Sequence, residues 1–178
     1  AERADRMLQP LEQRIEELRQ AFNAEQTLRK RYHNQMQDLK GAIRVFARIR
    51  PAVKREVGEP LVVRKQDAFS LEIDSKDPRQ PPKVFNFDSV FDEHSSQEDV
   101  FAECRGLVAS AIDGFNVTVF AYGQTGAGKT HTMYGSESAP GLVPRISDEL
   151  FGILHKYAHE CQAKVQCSML ELYKDDLV

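Results

Sequence analysis

The chain has 178 residues, of which 41% are hydrophobic and 29% charged, and its formal net charge is −3. That length accommodates one domain and an appendage, and the composition excludes a disordered or low-complexity chain. So small a net charge excludes nucleic acid and membrane as partners held by bulk electrostatics, and an acidic partner must meet a local basic patch. The three cysteines, Cys104, Cys161 and Cys167, are odd in number and have no C-x-x-C spacing. They suggest neither a disulfide framework nor a zinc site, and a reducing compartment is the default. No apolar run approaches the roughly 20 residues of a membrane helix, and no signal peptide is visible. The chain opens at Ala1 in a charged helical pattern, which reads as a cut through a longer helix.

Residues 1–40 carry apolar side chains at alternating steps of three and four: Leu8, Leu11, Ile15, Leu18 and Phe22, then Tyr32, Met36 and Leu39. With a positions at 8, 15, 22, 29 and 36 and d positions at 11, 18, 25, 32 and 39, only Glu25 and Arg29 break the seam. This spacing predicts a coiled-coil helix that joins the chain to a second copy or to a different chain. The bland alternative is one amphipathic helix lying on a globular core. Pro10 suits a first helical turn, so the expectation is that the helix opens there and that what precedes it is irregular or separate. Gly41, with Lys40 before it, is expected to close the helix.

Residues 41–178 form the expected globular part. Ile43 to Arg50 alternates apolar with basic or aromatic residues, a strand pattern that Pro51 ends. Leu61–Val63 and Phe69–Ile73 predict minor strands among surface loops, and Val84–Phe87 another. Ser95 and Ser96 before Gln97, Glu98 and Asp99 predict a helix start with acid in its first turn. The helix then carries Val100, Phe101, Leu107, Val108, Ala111 and Ile112, and Gly114 stops it. Val117–Ala121 is a nearly continuous apolar run of the kind found in buried central strands. A further helix is expected over Arg145–Tyr157, and a strand over Val165–Tyr173.

The strongest chemical signal follows Val117–Ala121. Gly123-Gln124-Thr125-Gly126-Ala127-Gly128-Lys129-Thr130 fits G-x-x-x-x-G-K-[ST], the phosphate-binding loop. Small residues let backbone N–H groups turn inward around phosphate oxygens, and the following helix start adds free N–H groups and a positive dipole end. Lys129 can reach the β- and γ-phosphates, and the Thr130 hydroxyl can coordinate Mg²⁺. The same four constrained positions occur by accident in on the order of one chain in a hundred of this length. A dinucleotide loop would need G-x-G-x-x-G, a register this loop lacks.

The surrounding blocks are specific. Phe120 through Met133 resembles the kinesin phosphate-loop signature almost residue for residue. Arg48-Ile49-Arg50-Pro51 resembles the family's R-x-R-P, and Phe85 through Phe91 its F-x-F-D-x-V-F. Gly141-Leu142-Val143-Pro144-Arg145 resembles G-[IL]-[IV]-P-R, and Ser168 through Val178, with Glu171 and Tyr173, the strand bearing S-x-x-E-x-Y. The resemblance covers residues 39–178 and is loose over 52–83. It implies an α/β fold, the three-layer phosphate-loop motor core, incomplete at its C-terminus and preceded by a coiled-coil neck helix. It implies ATP and Mg²⁺ as cofactors, microtubules as partner, and a cytoplasmic place on the cytoskeleton and spindle. It further implies that Arg48, Arg50 and Pro51 wall the adenine on one side and His131 on the other. Without the resemblance, the two arginines read as solvated strand charges and His131 as an ordinary helix residue.

A coiled coil running through Leu39-Lys40-Gly41 into the first strand resembles the C-terminal-motor class, which is minus-end-directed. Leu170 through Val178 brings that resemblance toward the calmodulin-binding plant and protist members, whose calmodulin-binding segment would follow the motor. The family's two switch motifs, N-x-x-S-S-R-S-H and D-x-x-G-x-E, do not occur in these residues. The catalytic residues that position water are therefore not assigned. The expectation is that the intact protein is an ATPase and that these residues alone fold poorly and hydrolyse little ATP. The competing reading is a short coiled-coil dimerisation partner with a vestigial nucleotide site and no motor activity.

Overall fold

The computed structural model describes residues 2–39, 43–75, 77, 79–159, 162–173 and 176–177. Helix α1 runs over Glu2–Leu39, with Pro10 inside it. This corrects the expectation of a helix that opens at Pro10. A proline removes one N–H from the ladder and crowds the preceding turn, a local defect of about 3 kcal/mol. A helix with intact ladder on both sides carries it. The heptad residues Leu11, Ile15, Leu18, Phe22 and Tyr32 are between 49% and 59% exposed, so the stripe is uncovered in the single chain. Its flanks are bridged along the helix by Arg14–Glu17 at 3.2 Å and by Gln20 donating to Glu16 at 3.1 Å. The expected stop at Lys40 and Gly41 lies outside the described residues.

Strand β1 (Phe46–Arg48) pairs in parallel with β5 (Ser89–Phe91), matching Phe46 with Ser89 and Arg48 with Phe91. The strand expected over Ile43–Arg50 is shorter because a side chain replaces one rung. Val45 N donates to Asp88 Oδ2 at 2.7 Å while Asp88 N donates to the Val45 carbonyl at 2.9 Å. Strands β2 (Val63–Lys65), β3 (Ser70–Ile73) and β4 (Lys83–Asn86) form an antiparallel sheet in that order. Asp67 turns the chain into β3 by accepting the Phe69 and Ser70 N–H groups at 2.7 and 2.8 Å, and these bonds hold its carboxyl below the usual range.

Helix α2 (Gln97–Ile112) begins where the sequence placed it. Ser96 Oγ accepts from Asp99 N at 3.1 Å and Asp99 Oδ2 accepts from Ser96 N at 2.7 Å, a reciprocal cap. Its buried stripe is Gln97, Val100, Phe101, Cys104, Val108 and Ser110. Helix α3 (Lys129–Met133) is short, a hairpin of β6 (Gly135–Ser136) and β7 (Ala139–Pro140) follows, and α4 (Leu142–Lys156) begins three residues before Arg145, where a helix start was expected. Pro144 falls in the first turn, where its missing N–H has no helical partner to lose.

The core lies between these pieces. Phe91, Val100, Phe101, Cys104 and Leu142 are buried together, with Phe46, Leu107, Val119, Met133 and Ile146 packed around them. Phe46 and Phe91 meet edge to face at 6.2 Å. Burial in this cluster pushes the Cys104 thiol up. Across the top of the α2–α4 contact, Glu98 pairs with Arg145 and with Arg105 (3.7 Å), and Arg105 reaches Glu149 at 3.5 Å.

Two expectations fail here. Val117–Ala121 enters no ladder among the described residues, and Phe120 is 79% exposed. The Val165–Tyr173 run is regular only at β8 (Leu172–Tyr173), which pairs with β9 (Asp176–Leu177). The apolar pattern of both runs is real, but a strand exists only where a neighbour takes its N–H and C=O groups. No described helix is long and apolar enough to cross a membrane.

Candidate nucleotide-binding site

The expected phosphate loop, residues 123–130, is shaped by its glycines. Gly126 and Gly128 sit at φ +83° and +98°, the left-handed region that a side chain disfavours, and Gly128 caps α3 there. The Lys129 ammonium donates back to the carbonyls of Gly123 at 2.7 Å and Gln124 at 3.0 Å. Ala127 N donates to the Gln124 carbonyl at 3.1 Å, which tightens the turn. Gln124, Thr125, Gly126 and Thr130 are exposed along the loop's outer edge, whereas Ala127, Gly128 and Lys129 are half-buried. This arrangement presents backbone N–H groups, one cation and one hydroxyl on a glycine-bent turn.

Arg50 lies beside this loop. A Cβ placed on Gly128 would meet Arg50 Cβ at 3.8 Å. The Arg50 guanidinium is engaged by Glu56 through two bonds, at 2.7 and 2.6 Å, and donates to the Pro51 carbonyl at 3.0 Å. The hydrogen bond to Glu56 raises its already high pKa further. Pro51 is exposed on the same loop.

Arg48 is turned inward instead. It donates to Gln97 Oε1 at 2.8 Å, to Thr132 Oγ1 at 3.1 Å and to the Ser95 carbonyl at 3.2 Å. Burial lowers its pKa from the usual arginine value, and nearby Asp99 opposes that shift. His131 is exposed, but its carbonyl accepts from Gln97 Nε2 at 2.6 Å and its Nδ1 lies 3.4 Å from the same nitrogen. The structure thus brings Arg48, Gln97, His131 and Thr132 into one cluster behind the loop, and Arg50 with Pro51 onto its flank.

Sequence reasoning did not single out Gln97, Thr132 or Glu56 as site residues. Gln97 left a signal that could have been read. It occupies the same helical stripe as Val100, Phe101, Cys104 and Val108, so a polar amide falls in register with a buried face.

The chain was also compared with known proteins. The family described as Microtubule binding matches residues 22–178. The chain belongs to the kinesin family. It is 45% identical over 164 residues to Kinesin-like protein KIN-14I of Oryza sativa subsp. japonica, covering 91% of this chain and 13% of that protein. It is 35% identical over 172 residues to Kinesin-like protein KAR3 of Saccharomyces cerevisiae, covering 92% of this chain and 23% of that one. Among solved structures it is similar to the C-terminal motor and motor homology domain of Kar3Vik1 fused to a synthetic heterodimeric coiled coil. There the TM-score is 0.74 and the identity 34%, over 86% of this chain and 42% of that one. This kinesin chain therefore spans less than a quarter of the length of those two curated relatives. Its relatives are KIN-14 proteins and KAR3, members of the C-terminal-motor class. The chain shares their mixed α/β motor core, here with an N-terminal helix.

Proposed function

We propose that residues 41–178 are the ATP-binding front of a microtubule motor domain and that residues 1–40 are its coiled-coil neck. The phosphate loop at Gly123–Thr130 carries this reading. Its left-handed glycines open the backbone toward a phosphate, and Lys129 donates to two loop carbonyls that a phosphate oxygen would outcompete. Gly123, Gln124, Thr125, Gly126, Ala127 and Gly128 would line the phosphates with backbone N–H groups. Lys129 would hold the β- and γ-phosphates. Arg50, Pro51 and the exposed ring of His131 would border the adenine, with Arg48 supporting that wall from behind.

Mg²⁺ would meet the exposed Thr130 hydroxyl. Among the described residues no group of three or more His, Cys, Asp or Glu side chains could hold a metal. A cation here would take the rest of its oxygen ligands from phosphate and water, as Mg²⁺ commonly does. Bound Mg·ATP supplies the phosphoryl group whose hydrolysis drives the motor.

Membership in the C-terminal-motor class supports minus-end-directed movement along microtubules and a cytoskeletal location that includes the spindle. The uncovered heptad stripe of α1 supports pairing with a second neck helix, identical or different. The likeness to calmodulin-binding members extends the proposal to calmodulin as a regulator acting on a segment after the motor domain.

The test is Lys129→Ala in the protein carrying its whole motor domain. Titration with Mg·ATP should show affinity lost by about a hundredfold or more, since a charge-assisted contact to phosphate is removed, and microtubule gliding should stop. Unchanged gliding would sink the assignment.

A further inference from the structure

We infer that Gln97 is a positioning residue for the phosphate loop, an inference that rests on reading Gly123–Thr130 as a nucleotide site. Helix α3 carries Lys129 and Thr130, yet it has only five residues and buries none of them. A helix that short has almost no stability of its own. Met133 at its end packs against the core, and polar contacts to α2 and β1 hold the turn that carries Lys129 and Thr130.

Gln97 is the centre of those contacts. It is 5% exposed at the first turn of α2. Arginine can only donate, so the amide oxygen must face Arg48, which leaves the amide N–H₂ facing the His131 carbonyl. The observed contacts, 2.8 Å from Arg48 to Oε1 and 2.6 Å from Nε2 to the His131 carbonyl, have that orientation. Arg48 then closes the ring by donating to Thr132 Oγ1. One amide thereby couples the end of β1, the start of α2 and the two residues that follow Thr130. No other uncharged side chain of that length offers an acceptor to Arg48 and a donor to a carbonyl at once.

Gln97→Glu separates positioning from mere bulk. It keeps the volume and the acceptor for Arg48, and acid is welcome at a helix N-terminus, so α2 should still form. What it loses is the donor to the His131 carbonyl, which then faces a carboxylate. Protonation restores that donor. The charged or titratable groups facing the site are Arg48 from β1, the His131 ring from α3 and Asp99 from α2, so every reading is taken as a ratio to the parent chain at the same pH.

The experiment uses the protein carrying its whole motor domain and measures Mg·ADP affinity by calorimetry and amide hydrogen exchange at Thr132 and Tyr134, in the parent chain, Gln97→Glu and Ser96→Ala. At neutral pH the Glu variant should bind Mg·ADP about tenfold more weakly, the scale of one lost buried hydrogen bond, and exchange faster at both amides. Its deficit should shrink as acid protonates the new carboxyl. Ser96→Ala strips the α2 cap but leaves the Gln97 amide, and should move both readings much less than Gln97→Glu does. Unchanged affinity and exchange in Gln97→Glu, or a deficit indifferent to pH, would overturn the inference. If the parent chain binds no Mg·ADP, the nucleotide reading fails, and exchange at Thr132 and Tyr134 alone decides whether Gln97 holds α3.

Discussion

The α2–α4 nucleus and the irregular run 115–123 have similar apolar content and opposite fates. In the nucleus, Val100, Phe101, Cys104 and Leu142 are all at or below 5% exposed. In the run, Phe115, Phe120 and Tyr122 are 52%, 79% and 94% exposed, and only Val119 touches the core. The difference lies in how backbone groups are satisfied. A helix closes its own hydrogen bonds and needs only one apolar neighbour. A strand needs a partner along its length before it can be buried. Apolar sequence alone therefore predicts burial well for helices and poorly for strands.

The largest expected effect sharpens that contrast. Phe101→Ala empties the centre of the nucleus and should destabilise the fold by about 3–5 kcal/mol in urea unfolding. Phe120→Ala should stay within about 0.5 kcal/mol. A cost for Phe120→Ala matching that of Phe101→Ala would show that the exposed run contributes to the same core.

A smaller pair of effects tests how closely the loop helix packs on the nucleus. A Cβ on Gly141 would lie 2.7 Å from the backbone of Met133 and Thr132, whereas one on Gly152 meets nothing within 4 Å. Gly141→Ala should cost about 1–3 kcal/mol through overpacking. Gly152→Ala, inside α4, should stabilise by up to about 1 kcal/mol through helix propensity. Equal effects at the two sites would mean that the α3–α4 junction has slack.

The smallest effect lies at the surface of the nucleus. Ser96→Ala should cost about 1 kcal/mol by removing the α2 cap. The pH dependence has a definite sign. The Asp99 carboxyl is held below the usual range by the Ser96 hydroxyl and N–H, and that of Asp92 by the Ser95 hydroxyl and the His94 N–H. A depressed carboxylate pKa contributes stability above the ordinary aspartate value and loses it as pH falls toward the folded value. Thermal stability should therefore fall on acidification below the ordinary carboxylate range, and Asp99→Asn should flatten part of that slope. An unchanged acid slope in Asp99→Asn would remove this aspartate from the account.

Much of this molecule was legible in its residues. The heptads gave α1 its helix, Ser96 and Asp99 gave α2 its start, and the glycines of G-x-x-x-x-G-K-T gave the tight turn before α3, because each of these depends on residues within a turn or two of one another. Pro10 misled because one lost hydrogen bond does not end a long helix. β5 went unseen because three residues between Asp88 and Asp92 show no period. The inward turn of Arg48 was equally hidden, since its partners Ser95, Gln97 and Thr132 are 47 to 84 residues away. The sequence by itself determined the local chemistry: a helix with an apolar seam, a cap, a glycine-bent loop before a short helix and the family these identify. Only the tertiary structure decided which apolar runs are buried and which charges are spent inside, because both are settled by neighbours distant along the chain.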